Sequence, residues 1–147
     1  MSKHLRAFRA GANVLAFNKN NTNYAMTCAW AMMIDYQKIA MLVGGQSVTG
    51  QNLELNQKVG VSALADGQQE IAKIIGTKHS DKVNKFETIS YINKDNMILI
   101  ENAKVLMECT VSEIHNLDGD LLVFLQVDDF NEDELKDYLD GYDPKNY

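Results

Sequence analysis

Proline is almost missing from this chain: the single one, Pro144, lies in the tail, so no proline-marked linker divides the sequence into modules. Arginine is nearly as scarce, with Arg6 and Arg9 the only two. Cysteine is limited to Cys28 and Cys109, each in an apolar, strand-like stretch. No CxxC or Cys/His cluster exists to hold zinc, and the two read as buried, reduced thiols. No apolar run is long enough to span a bilayer. Residues 1–12 carry basic side chains without a following apolar stretch and cleavage site, so no signal peptide is read and the expected location is cytoplasmic. Asn20-Asn21-Thr22 matches a glycosylation sequon, which means nothing without secretion. Paired carboxylates and a Ser/His/Asp order are also missing, which leaves hydrolase chemistry without support.

What remains is ordinary in composition and uneven in charge. With 147 residues, 46% hydrophobic and 23% charged, the chain is expected to form one domain with a real core. The net charge is −6, and from Asp128 onward eight acidic residues face two lysines, Lys136 and Lys145. The rest of the chain therefore balances, with 12 basic and 12 acidic side chains. A neutral body argues against a nucleic-acid platform, which needs a basic surface. The acidic end reads as a solvated face and names no partner.

Apolar periodicity predicts strands over Asn13 to Asn18, Thr22 to Met33 (running into a loop), Lys38 to Val43, Val59 to Leu64 and Met97 to Ile100, with a short one near Thr88 to Ile92. Lys19-Asn20-Asn21 reads as a turn tolerant of left-handed backbone. The clearest alternation runs from Ala103 to His115. Asn116 to Asp120, containing Asp118-Gly119, then predicts a hairpin turn into Leu121 to Val127. Gln46 to Gln57 suggests a loop and a short helix. Asp66 with Gln69 resembles a capping box opening a helix with Ile71, Ile74 and Ile75 on one face. Asn131 with Glu134 suggests another, with Leu135, Tyr138 and Leu139 as its apolar stripe. The order predicts a mainly β domain, a β-barrel with helical insertions, with its core at about 13–130 and an acidic C-terminal helix and tail at 131–147.

Three segments hold residue choices that packing alone does not explain. In Asn23 to Met33, small residues would let a flat ring approach the backbone, with Trp30, Met32 and Met33 as apolar walls. Taken alone, such a stripe more often fills a core. In Gly44 to Asn52, glycines and the hydroxyls of Ser47 and Thr49 precede a helix start, which favours an anion such as phosphate. The Lys-Ser/Thr ending of a Walker A loop is missing, and a plain N-capped turn reads equally well. In His79 to Phe86, a histidine, a serine and lysines can converge on a phosphate, or form an ordinary polar loop.

In this order the segments resemble the flavin reductase-like, FMN-binding split β-barrel family. Tyr24-Ala25-Met26-Thr27-Cys28-Ala29-Trp30-Ala31-Met32 is similar to the family's Asn-Ala-Met-Thr-like hairpin segment. Gln46-Ser47-Val48-Thr49 is similar to its phosphate loop, and Asn84-Lys85-Phe86 to its Asp-Lys-Phe segment. Leu106-Met107-Glu108-Cys109 and Leu122-Val123-Phe124 match its closing hairpin. The resemblance implies that Thr27, Cys28, Ala29 and Trp30 line an isoalloxazine. It implies that Gln46, Ser47 and Thr49 bind the ribityl phosphate, with Asn52 nearby at the helix start. His79, Ser80, Lys85 and Phe86 would close the pocket. It further implies a homodimer with the flavin close to the interface. Many relatives carry an arginine in the phosphate loop and this chain has none, so the phosphate would rely on N–H groups, hydroxyls and Lys85. That predicts weaker FMN binding than in arginine-bearing relatives, or binding completed by the partner subunit.

The activity implied is transfer of a hydride from NAD(P)H to flavin N5, which calls for no acid–base residue. The rival is an FMN-binding electron-transfer protein of the flavoredoxin kind, reduced by a redox protein. Without a GxGxxG site, a nicotinamide would have to stack on the flavin itself. A barrel that has lost its cofactor is the third reading.

Overall fold

Alternating apolar side chains in the first strand set the layout. The computed structural model describes residues 5–77 and 84–141. Its elements in chain order are β1 (Asn13–Lys19), β2 (Thr22–Cys28), β3 (Ala31–Asp35), β4 (Lys38–Gly44), α1 (Val48–Gln51), β5 (Lys58–Ala63), α2 (Gln69–Thr77), β6 (Tyr91–Lys94), β7 (Met97–Ile100), β8 (Val105–Leu117) and β9 (Asp120–Glu132). Along β1, Val14 and Ala16 enter one core, shared with Ala72 and Ile75 of α2, Ile98, Ile100 and Leu139. Leu15 and Phe17 enter a second, with Met41, Val43, Val59, Val61, Cys109, Val111, Val123 and Leu125. A period of two thus buries β1 on both faces. Removing a ring like that of Phe17 from such a site costs about 3–5 kcal/mol.

All pairings among the described strands are antiparallel. The sheet order is β3-β4-β9-β8-β5-β1-β7-β6, and β2 pairs with β1 off that path. The sheet wraps the second core, and α2 covers the first. The fold is mainly β with helical insertions, as the sequence order predicts.

Local chemistry sets the two principal hairpins. Lys19 pairs with Thr22, so Asn20 and Asn21 form a two-residue turn with φ of 53° and 64°, a conformation asparagine tolerates. Leu117 pairs with Asp120, and Asp118 and Gly119 turn the chain with φ of 49° and 101°.

Two sequence expectations are corrected. The stretch from Thr22 to Met33 is not one strand ending in a loop. β2 stops at Cys28, and after Ala29 and Trp30 the chain re-enters the sheet as β3, paired with β4. All five residues of β3 are exposed, so no burial alternation marks it. The acidic C-terminal helix does not form among the described residues. Instead β9 runs on to Glu132, opposite Val105, and single bridges join Ala65 to Tyr138 and Gly11 to Asp140. Free backbone groups on Leu64 to Asp66 win over the weak helical stripe: Leu139 N–H donates to Leu64 O at 3.0 Å and Asp66 N–H to Asp137 O at 2.9 Å. Leu139 is buried and Leu135 is fully outside. Lys104 anchors the strap, donating to Asp133 O at 2.9 Å, pairing with Glu132 at 3.1 Å and lying over the Tyr138 ring.

Candidate functional site

A groove runs between the end of β2, the β4–α1 loop and the end of α2. It comprises two cavities of about 210 and 190 Å³ that share Met26, Thr27 and Gly44. Joined, they reach the lower end of the range for ligand pockets, roughly 300–1,000 Å³.

The first cavity is built around one carbonyl. Ala25 O accepts from Thr49 Oγ1 at 3.0 Å and from Lys85 Nζ at 2.7 Å. Lys85 donates a further hydrogen bond to Ile75 O at 2.7 Å, tying the last turn of α2 to β2, while Thr27 Oγ1 donates to Ala72 O at 2.9 Å. Lys85 is buried, and burial pushes its ammonium pKa down to about 8. At neutral pH the group is therefore charged, with two of its three N–H groups committed. The third is the one left for the cavity Lys85 lines.

Ser47 and Thr49 both line this cavity, but their hydroxyls serve the protein. Ser47 Oγ donates to Gly44 O at 2.6 Å and accepts from Gly50 N–H at 2.9 Å, capping α1. Thr49 is buried, its proton on Ala25 O. Gln46 is exposed and outside the groove lining. Asn52 lies at the C-terminal end of α1, not at its start, and donates to Val48 O at 2.8 Å. Phe86 packs in the first core, its ring 4.8 Å from that of Tyr91, and not on the groove wall. His79 and Ser80 lie outside the described residues. Among the described residues, Lys85 is thus the one charged side chain lining this cavity.

The second cavity is lined by Met26 to Trp30, Leu42, Gly44 and Asp120. The Cys28 sulfur lies 3.1 Å from Trp30 O and 3.2 Å from Leu42 O, and burial pushes its thiol up to about 11. It is a neutral wall group that links β2 to β4, not a nucleophile. Cys109 is also buried and free, and burial pushes it up to about 12. Trp30, Met32 and Met33 do not fill a core: each is more than 60% exposed, and Tyr36 in the turn after β3 is exposed too.

Gly44 and Gly45, read from the sequence as part of an anion loop, shape the groove by what a side chain there would meet. A Cβ on Gly45 would sit 2.1 Å from Gly119 O, so the tip of the β8–β9 hairpin lies directly on the β4–α1 loop. A Cβ on Gly44 would meet only Ser47 Cβ, at 3.9 Å, leaving a side chain there free to grow into space that both cavities share. The sequence reading missed Asp120 and Ile75-Gly76 as wall residues. Only the Gly44–Asp120 pairing and the docking of α2 bring them to the wall. Among the described residues no cluster of three or more His, Cys, Asp or Glu can hold a metal, and no helix is long and apolar enough to cross a membrane.

Comparison with known proteins places the fold. An NADH:FAD oxidoreductase of Streptomyces globisporus C-1027 superposes with a TM-score of 0.81 at 19% identity, covering 89% of this chain and 80% of its own. An FMN-binding protein of Thermus thermophilus gives 0.82 at 14% identity, with 91% and 78% covered. Flavoredoxin of Methanosarcina acetivorans gives 0.80 at 12% identity, with 97% and 90% covered. No curated protein sequence matches the chain significantly. At these identities the superpositions establish a shared split-barrel fold. The family model for the flavin reductase-like domain matches residues 5–144, and the chain belongs to that family.

Proposed function

We propose that the groove holds FMN, with the phosphate at the Lys85 end and the isoalloxazine against Thr27 to Trp30, and that the protein is an NAD(P)H-dependent flavin reductase acting as a homodimer. The observation that carries this reading is the polarity of two adjoining cavities that share Met26, Thr27 and Gly44. A buried ammonium lies at one end, and a wall of backbone, small residues and one indole lies at the other. Gly44 keeps the floor open between them. The flavin, when bound, supplies the hydride-accepting ring, so the protein's part is to bind and orient. Lys85 supplies the fixed positive charge for the phosphate. Cys28 holds its proton between two carbonyls and keeps the ring wall neutral. Trp30 covers the ring end from its rim.

The exposed edge strand β3 and Trp30 supply the surface for a second copy, which would close the ring end. A long apolar edge of this kind is otherwise a liability for a free monomer. The same strip is also a landing surface for a redox protein, and this keeps the flavoredoxin-like reading as the alternative. Anaerobic addition of NADH, then NADPH, to the FMN-loaded protein separates the two. Bleaching of the flavin band within a few turnovers supports the reductase, and a yellow protein indifferent to both supports the carrier. Sedimentation of wild type and of Met33→Asp tests the dimer: the variant should shift toward monomer, and a monomeric wild type would overturn the interface.

A further inference from the structure

We infer that Asp120 is a specificity-determining residue, a carboxylate at the rim of the ring compartment that disfavours reduced flavin relative to oxidised flavin. The inference rests on the flavin-binding reading and goes on to say which redox state the site prefers. In the β4–β9 ladder, Gly44 lies opposite Asp120 and Leu42 opposite Leu122. Residues two apart share a face, and directly paired residues share it too. Asp120 therefore stands on the same face as Leu42, which also lines this cavity, and has only the hydrogen of Gly44 beside it across the ladder.

Two further observations give the carboxylate its weight. Among the described residues, Asp120 is the only charged one lining the second cavity, and no ion pair or hydrogen bond with a described residue engages its side chain. Its backbone is also held in place, because Gly45 admits no Cβ under Gly119 O and so fixes the hairpin tip on the loop. Asp120 is exposed at the rim, so its charge is solvated but has no paired cation among the described residues, and it is positioned. Lys85, the groove's cation, lies at the opposite end and is bound to two carbonyls.

Transfer of a hydride from NAD(P)H, which departs as NAD(P)+, leaves a flavin with one more negative charge than it had. A nearby carboxylate opposes that added charge and leaves the neutral oxidised ring almost untouched. The site therefore grips oxidised FMN and loosens on the reduced form, a bias suited to a protein that hands reduced flavin on.

The test compares Kd values for oxidised FMN and for dithionite-reduced FMN, measured without oxygen, in wild type, Asp120→Asn and Asp118→Asn. Asp120→Asn should tighten reduced FMN relative to oxidised FMN by about three- to tenfold, the scale of one charge contact in a partly solvated site. The midpoint potential of the bound flavin should rise accordingly. Asp118→Asn, on the neighbouring turn and outside the lining, should leave the ratio unchanged. An unchanged ratio in Asp120→Asn, or an equal change in Asp118→Asn, overturns the inference while flavin binding stands. Failure of wild type to bind oxidised FMN overturns the flavin reading itself.

Discussion

Replacing Lys85 by methionine removes the only charge among the described groove residues placed to meet a phosphate, while keeping the length of the aliphatic stem. In the ligand-free protein the change strips hydrogen bonds of 2.7 Å from Ala25 O and Ile75 O. Ala25 O keeps Thr49 as a donor, so one carbonyl, that of Ile75, bears most of the loss. An unsatisfied buried group costs about 1–3 kcal/mol. Water from the adjoining cavity can reach it, which favours the lower half of that range, visible as a drop in the urea midpoint. On the ligand side, a charge-assisted hydrogen bond contributes about 1.5–3 kcal/mol, so FMN should bind roughly 10- to 100-fold more weakly. Riboflavin, which shares the ring and ribityl chain but has no phosphate, should change by no more than about twofold on the same scale. Fluorescence titration of both ligands against both proteins gives the result as a ratio of ratios, insensitive to any general loosening of the groove. If Lys85→Met weakens FMN and riboflavin equally, Lys85 is a structural tie and the phosphate lies elsewhere.

Three further outcomes follow from the same geometry. Burial lowers the Lys85 pKa to about 8, so FMN affinity should fall above about pH 8, by at most tenfold per pH unit, while riboflavin affinity stays level. In stability the sign is reversed: between about pH 8 and 10.4 the unfolded chain binds the extra proton. Across that window, ligand-free wild type should therefore gain stability relative to Lys85→Met in paired urea titrations. Gly44→Val should abolish FMN uptake with the unfolding free energy from urea titration within about 0.5 kcal/mol of wild type, since its Cβ has room but its methyl groups enter the groove. Gly45→Ala should instead destabilise the fold by about 1–3 kcal/mol, because its Cβ meets Gly119 O at 2.1 Å.

What could be read in the sequence follows how local the cause is. The Asn20-Asn21 and Asp118-Gly119 turns announce themselves, because left-handed backbone selects those residue types. The strands they join alternate with period two. The helix after Asp66 is likewise local: Ile71, Ile74 and Ile75 share a face, and Gln69 Nε2 donates to Asp66 Oδ1 at 3.0 Å. Failures occur where a distant partner decides. β3 has no buried face and exists because β4 offers an edge. The segment from Asp133 to Asp140 carries helical signals, yet it turns at Asp133 to Lys136 and backbone bonds with Leu64 and Asp66 hold Asp137 to Leu139 out of a helix. The site divides in the same way. The order of small residues, loop and lysine places Thr27 to Trp30, Ser47, Thr49 and Lys85 on one groove. Sequence cannot show that the two hydroxyls face inward, that Asn52 ends α1, or that Phe86 belongs to the core. Nor can it show that Asp120 stands opposite Gly44, which is a fact of strand register.

The central claim is that the groove is a flavin site with its cation at the phosphate end. The most direct measurement is equilibrium titration of the ligand-free full chain with FMN, read by the change in the flavin's visible absorbance and its fluorescence. Saturable uptake, stoichiometric with chains and tighter for FMN than for riboflavin, is the result this account predicts. Protein that leaves the FMN spectrum and fluorescence unchanged at every concentration would contradict it.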